Sequence, residues 1–545
     1  MKKTLLLPVA LIFIFAVFVS CASNENINIP TENQNATIVV IETPIEISAP
    51  VNIPASVPEV DAPRYFITLD INPTDRLVVG VERVDFTNNT DSPLNEIFFN
   101  VPFAAFSQGF ADSENGEAPP YFARFANRIF RNVQSDQDDQ NTEYSVNSHG
   151  WINITSATVN MNPVEFSQDG IWLAIHLNEE LNPGMGIEIG LGFEAFVPKL
   201  NHRTGGNENA MWFGNFLPTL AVYDNIGAIL YPYYPAGFPF FTAIANYTVE
   251  ITTPPGTFIA TTGISTVNET DNRQTTRIDA RMVRDFAFVV MDSQYSIRTA
   301  TSPSGVIVNF YYLPDCSQED YNSEIIDNVL YSAIEALEYF INHIGSYPYQ
   351  TLDLVEMNSF VVDSHRYPGL IMVDSRHLRN NPWVINSIAR DIAHQWFYNV
   401  VGSDPVRETW LNAGLATFLQ LGIWMNEEET AEYIEKAHEN LAARIQNIMH
   451  PELFRNLGYY ENWMDYYNVQ HLRGMIMFYE LQQRMGKELF DVFLRNYYNY
   501  FAFGIATSEQ MIEMAENIYG ESLQQFFNSW IRWRILPPLA QNASN

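Results

Sequence analysis

Arg390, Asp391 and His394 fall in one run, Arg390-Asp-Ile-Ala-His394-Gln-Trp-Phe, whose pattern reads as helix. Positions i and i+4 of a helix share a face. Two histidines so spaced reach one zinc, and a carboxylate beside the first can take a proton from the metal-bound water. In this run only His394 offers an imidazole lone pair. Arg390 stays protonated, has no lone pair and repels a cation. Asp391 keeps a carboxylate, and a second helical run follows downstream, Trp410-Leu-Asn-Ala413-Gly-Leu-Ala-Thr-Phe. No Ser/His/Asp or Cys/His arrangement suggests a nucleophile. The two cysteines, Cys21 and Cys316, exclude a disulfide scaffold and a thiolate zinc cluster.

The elements that must position these groups divide along the chain. Ile67, Leu69 and Ile71 alternate with Thr68, Asp70 and Asn72, a half-buried strand. Similar composition recurs at Tyr247–Thr253 and Asp285–Met291, so residues 62–303 read as an antiparallel β domain with long loops. After Cys316 the periodicity changes: an amphipathic helix from Ile325 to His343, a strand from Thr351 to Met357, and mostly helix from Trp383 onward. Two more helices are expected between Ser508 and Trp533. Aromatic pairs such as Tyr466-Tyr467, Tyr497-Tyr498 and Trp530-Ile-Arg-Trp533 are read as core. The fold class is α+β and multidomain, with a β-rich front and an α-rich back.

The helical run, with Trp410-Leu-Asn-Ala413-Gly, resembles the aminopeptidase N family of zinc metallopeptidases. That family has HExxH on one helix and a third ligand, Glu, in WLNEG on the next, with eighteen residues between the second His and the Glu. Residues 395 to 412 supply that spacing here. Tyr367-Pro-Gly-Leu-Ile, Arg473-Gly474, Trp212-Phe213 and Tyr233-Tyr234-Pro235 extend the resemblance over residues 62–535. It implies a thermolysin-like, mostly helical domain over 304–540. It also implies that Arg390 and Ala413 stand at lost ligand positions, with His394 as the residual one. Asp391 falls at the general-base position, one methylene short; Arg366 on the Glu that holds a substrate amine; His471 on the tyrosine that steadies the oxyanion.

The expected outcome is a dismantled zinc site with no catalysis and no cofactor. Its cleft would take a peptide or protein, and Arg366 and Arg390 would turn its preference toward a carboxylate or other anion. A bland alternative makes His394 a core histidine and Arg390 a filler paired with Asp391, Asp363 or Glu408. An active alternative has zinc on a rebuilt set of His394, His365, His471 and Asp391.

The chain has 545 residues, 29 basic against 63 acidic, for a net charge of −34. That excess and the lack of a basic run exclude nucleic acid as a partner. Lys2 and Lys3 precede an apolar run, Leu5 to Val19, that ends at Ser20-Cys21. The ending resembles a bacterial lipoprotein processing site, so residues 1–21 are expected to direct export and Cys21 to carry a membrane anchor. Residues 22–61, rich in Asn, Pro, Ser and Thr, read as a tether spanning on the order of 100 Å when extended. Cys316 is then an unpaired small hydrophobe.

Overall fold

The computed structural model describes residues 62–107, 149–200, 202–234, 237–238, 240–314, 323–357, 364–378, 381–460 and 462–540. The expectations for residues 1–21, the tether, Cys316 and Asp363 lie outside the described residues.

The front half is built on an eight-stranded sheet. At its centre lie β1 (Arg64–Asn72) and β2 (Leu77–Thr87), paired antiparallel. In β1 every second residue is buried, so the Ile67, Leu69 and Ile71 alternation places one face on the core as expected. One pairing departs from an all-antiparallel domain: β1 runs parallel to Ala245–Thr253. A parallel neighbour needs a long crossover, which no local pattern in either strand announces. Smaller four-stranded sheets close over the buried face, and Phe99, Phe193, Phe213 and Val249 fill the space between.

The back half carries a five-stranded mixed sheet that begins at Ser296–Thr301, before residue 304. Thr351–Met357 is a strand with the expected bounds. It lies parallel to β4 (Leu370–Asp374), which pairs antiparallel with β3 (Ser364–Tyr367). Helices α1 (Ser323–His343), α2 (Asn381–Trp396) and α3 (Trp410–Leu419) pack beside this sheet, α1 on α2 and α2 on α3. α4 (Gly474–Met485) crosses α3, entered through a π-helical stretch at Tyr467–Arg473. Ser508–Tyr519 and Gln524–Ile531 are the two last helices. Tyr466, Tyr497, Tyr498 and Trp530 are buried as expected, whereas Trp533 is not: it lies beyond the last helix with its indole exposed.

Candidate functional site

β3 and α2 set the site. The side chain of Gln395 fixes one against the other, its amide donating to the Tyr367 carbonyl at 3.0 Å and accepting from the Gly369 N–H at 2.9 Å. Gly369 sits at φ +71°, a conformation the β3–β4 turn needs and a side chain resists. Tyr367 ties the strand to the front half through a 3.1 Å bond from its hydroxyl to Asn215. Nothing in the sequence singled out Gln395; its only signal is its place next to His394.

Within this frame Arg366 and Arg390 converge on Asp391. Arg366 Nη1 lies 3.4 Å from Asp391 Oδ1, and Arg390 Nε lies 4.0 Å from the same oxygen. Asp391 is fully buried, and its Oδ2 has no hydrogen-bond partner among the described residues. Burial lowers the pKa of Arg366, Asp391 raises it, and nearby Arg390 lowers it further. Of the partners expected for Arg390, Asp391 is at hand. Glu408 instead accepts the Ser508 backbone N–H at 3.0 Å.

The histidines are neutral and turned to separate tasks. His394 Nδ1 donates to the Phe397 carbonyl at 3.2 Å, which leaves the lone pair on Nε2, an atom with no partner among the described residues. Thr417 donates its hydroxyl hydrogen to the Ala413 carbonyl at 2.6 Å, so it can only accept from His471 Nδ1 at 3.0 Å. That bond fixes the His471 tautomer, and the ring stacks on Tyr467 at 5.1 Å. His365 packs toward His202, their rings 6.1 Å apart. Burial lowers the pKa of His365, His394 and His471 well below the ordinary histidine value, and the neighbouring guanidinium groups add to it.

Among the described residues no three His, Cys, Asp or Glu side chains form a group able to hold a metal ion. The set His394, His365, His471 and Asp391 is therefore not assembled. A zinc ion does not fit the residues present: Ala413 has no donor, and two guanidinium groups flank the carboxylate beside His394.

Residues 329–530 match the peptidase family M1 domain. The chain carries an aminopeptidase N-like M1 domain. Endoplasmic reticulum aminopeptidase 2 of Bos taurus is 32% identical over 164 residues, 28% of this chain and 16% of that protein. The human protein of the same name is 25% identical over 272 residues, 46% of this chain and 26% of that one. The matched segments thus span about a quarter or less of these two relatives. The M1 zinc metallopeptidase from Deinococcus radiodurans superposes with a TM-score of 0.60 at 17% identity, covering 88% of this chain and 96% of that one. A mutant two-domain M1 zinc metallopeptidase bound to L-arginine gives 0.63 at 16%. These likenesses establish a two-domain M1 metallopeptidase fold, a β-rich region followed by a helical one. In this M1-like chain that fold surrounds a guanidinium–carboxylate cluster.

Proposed function

We propose that this chain is a non-catalytic M1-fold protein, exported and held at a membrane through lipid on Cys21, whose cleft binds a peptide or protein without cleaving it. The observation that carries this reading is Asp391, engaged by Arg366 and Arg390 within one helical turn of His394. Both guanidinium groups hold the Oδ1 side of this carboxyl group, and the fold supplies no donor at Ala413. A ligand for this cleft presents a carboxylate or similar anion to Arg366 and Arg390 rather than an ammonium group. The lipid anchor rests on the sequence around Cys21 alone.

The deciding measurement is zinc content after mild chelation, read beside hydrolysis of aminoacyl-arylamides. The expected result is substoichiometric zinc and no chelator-sensitive turnover; one tightly held zinc with turnover would establish the rebuilt site instead. Arg390→His, Asp391→Glu and Ala413→Glu together should introduce zinc binding, because α2 and α3 still pack as a pair. Loss of labelled fatty-acid incorporation in Cys21→Ala tests the anchor.

A further inference from the structure

The largest departure from the expected core lies at the end of the last helix, where Trp533 is 53% and Ile535 75% exposed. Met449 on the adjoining segment is 63% exposed, and Phe454 and Tyr459 are exposed beside it. These side chains are not on a loose tail. Arg473, fully buried, donates to the carbonyls of Pro451 at 2.6 Å, Trp530 at 2.9 Å and Trp533 at 2.7 Å, and reaches that of Ile535 at 3.3 Å. One guanidinium therefore clamps both segments, and the apolar side chains stand outward from fixed backbone.

The patch is also cationic, in a chain with more than twice as many acidic as basic residues. Arg532 lies over the Phe454 ring at 5.0 Å, and Arg455 over the Tyr459 ring at 5.4 Å. Arg534 donates to the Met449 carbonyl at 2.7 Å with its side chain 65% exposed. Among the ion pairs of the described residues, Arg455 and Arg534 share one carboxylate, Glu452, so these arginines outnumber their acidic partner. Distant acidic residues do not cancel that excess locally, since salt screens charge beyond about 10 Å.

Exposed Trp, Ile and Met ringed by arginines match the interface of an anionic bilayer. The indole sits at headgroup depth, the aliphatic chains reach below it, and the guanidinium groups meet lipid phosphate. The geometry points to a membrane-docking surface at Trp533–Ile535 and Met449–Tyr459 that seats the protein on anionic lipid. A second copy of the chain is the competing occupant, but it would bring like-charged arginines together.

The test uses the full chain with vesicles of brominated phosphatidylglycerol and, separately, brominated phosphatidylcholine. Trp533 emission is quenched on the anionic vesicles. Trp533→Leu removes that component and Trp463→Leu, an exposed indole outside the patch, does not. Binding weakens roughly fivefold for each of Arg532→Gln and Arg534→Gln. The readout is local to Trp533, so attachment through the first residues does not mimic it. Quenching that is identical in the wild type and Trp533→Leu, or indifferent to lipid charge, overturns the proposal. So does self-association in sedimentation velocity that Trp533→Glu abolishes, which would make the patch an interface between copies.

Discussion

At the scale of single residues, the question is what keeps a carboxyl group with no solvent contact in place. Asp391 has two guanidinium groups within 4.0 Å, the nearer being Arg366. Removing one partner of a buried pair leaves the other charge without compensation, which costs about 3–5 kcal/mol, whereas replacing both by apolar groups is often neutral. The Arg366–Asp391 contact is long at 3.4 Å and Arg366 is partly exposed, so the lower end applies. Among the described residues, Arg366→Met leaves Asp391 only the 4.0 Å contact with Arg390 and should destabilise the protein by up to about 3 kcal/mol in urea unfolding, and Arg366→Met with Asp391→Leu by less than the single change. Equal costs for the single and double variants would mean that the pair does not act as a unit. The same cycle reports on ligand binding: if the cleft holds an anion, Arg366→Met weakens that binding more than it weakens the fold.

The elements explain why this cluster sits where it does. α3 and α4 cross at two glycines: a Cβ added to Gly414 would lie 2.7 Å from the Gly474 Cα, and one on Gly474 would lie 2.8 Å from the Gly414 Cα. Backbone cannot yield as a flexible side chain does, so Gly414→Ala should cost about 1–3 kcal/mol through overpacking, read as a lowered urea midpoint. It should also displace Ala413 and so break the Thr417–His471 bond, visible as a changed His471 ring environment by NMR. The sequence carried much of this architecture, since alternation marks β1 and helical periodicity marks α1. It also carried the positions of Arg366, Arg390, Asp391, His394 and Ala413, because spacing along a helix is a local property. It did not carry the Gln395 bracket, the Thr417–His471 bond or the clamp of Arg473. Each joins residues that meet only after folding, and glutamine, threonine and arginine are ordinary residues anywhere else. Trp533 was misread for a related reason: helical spacing places it near Trp530, but the helix ends at Ile531 and the next residues turn outward.

For the molecule as a whole, the balance of buried titratable groups governs how stability follows pH. Burial lowers the pKa of His202 to about 3 and that of His365, His394 and His471 well below 6.5. Below pH 6.5 the unfolded chain takes up protons on these rings that the folded chain refuses, so acid destabilises. Glu82 opposes this from the other half. It occupies an inward position of β2, wholly buried, with neither oxygen partnered among the described residues, and burial raises its pKa well above 4.5. Asp285 and Asp353, both pushed up to about 6, act in the same sense as Glu82. Above about pH 4.5 the unfolded chain releases the Glu82 proton that the folded chain keeps, so stability falls as pH rises. Glu82→Leu removes that linkage. Relative to wild type it should gain stability with rising pH by about 1.4 kcal/mol per pH unit, from about pH 5 until Glu82 ionises in the folded state. Taking the difference between the two proteins cancels the self-repulsion of the acidic surface, which Glu82 barely alters. Urea midpoints of both proteins at pH 5, 6, 7 and 8 give the slope. A constant gap across that range would mean that Glu82 ionises alike in both states, and that β2 has a solvated route to its carboxyl group.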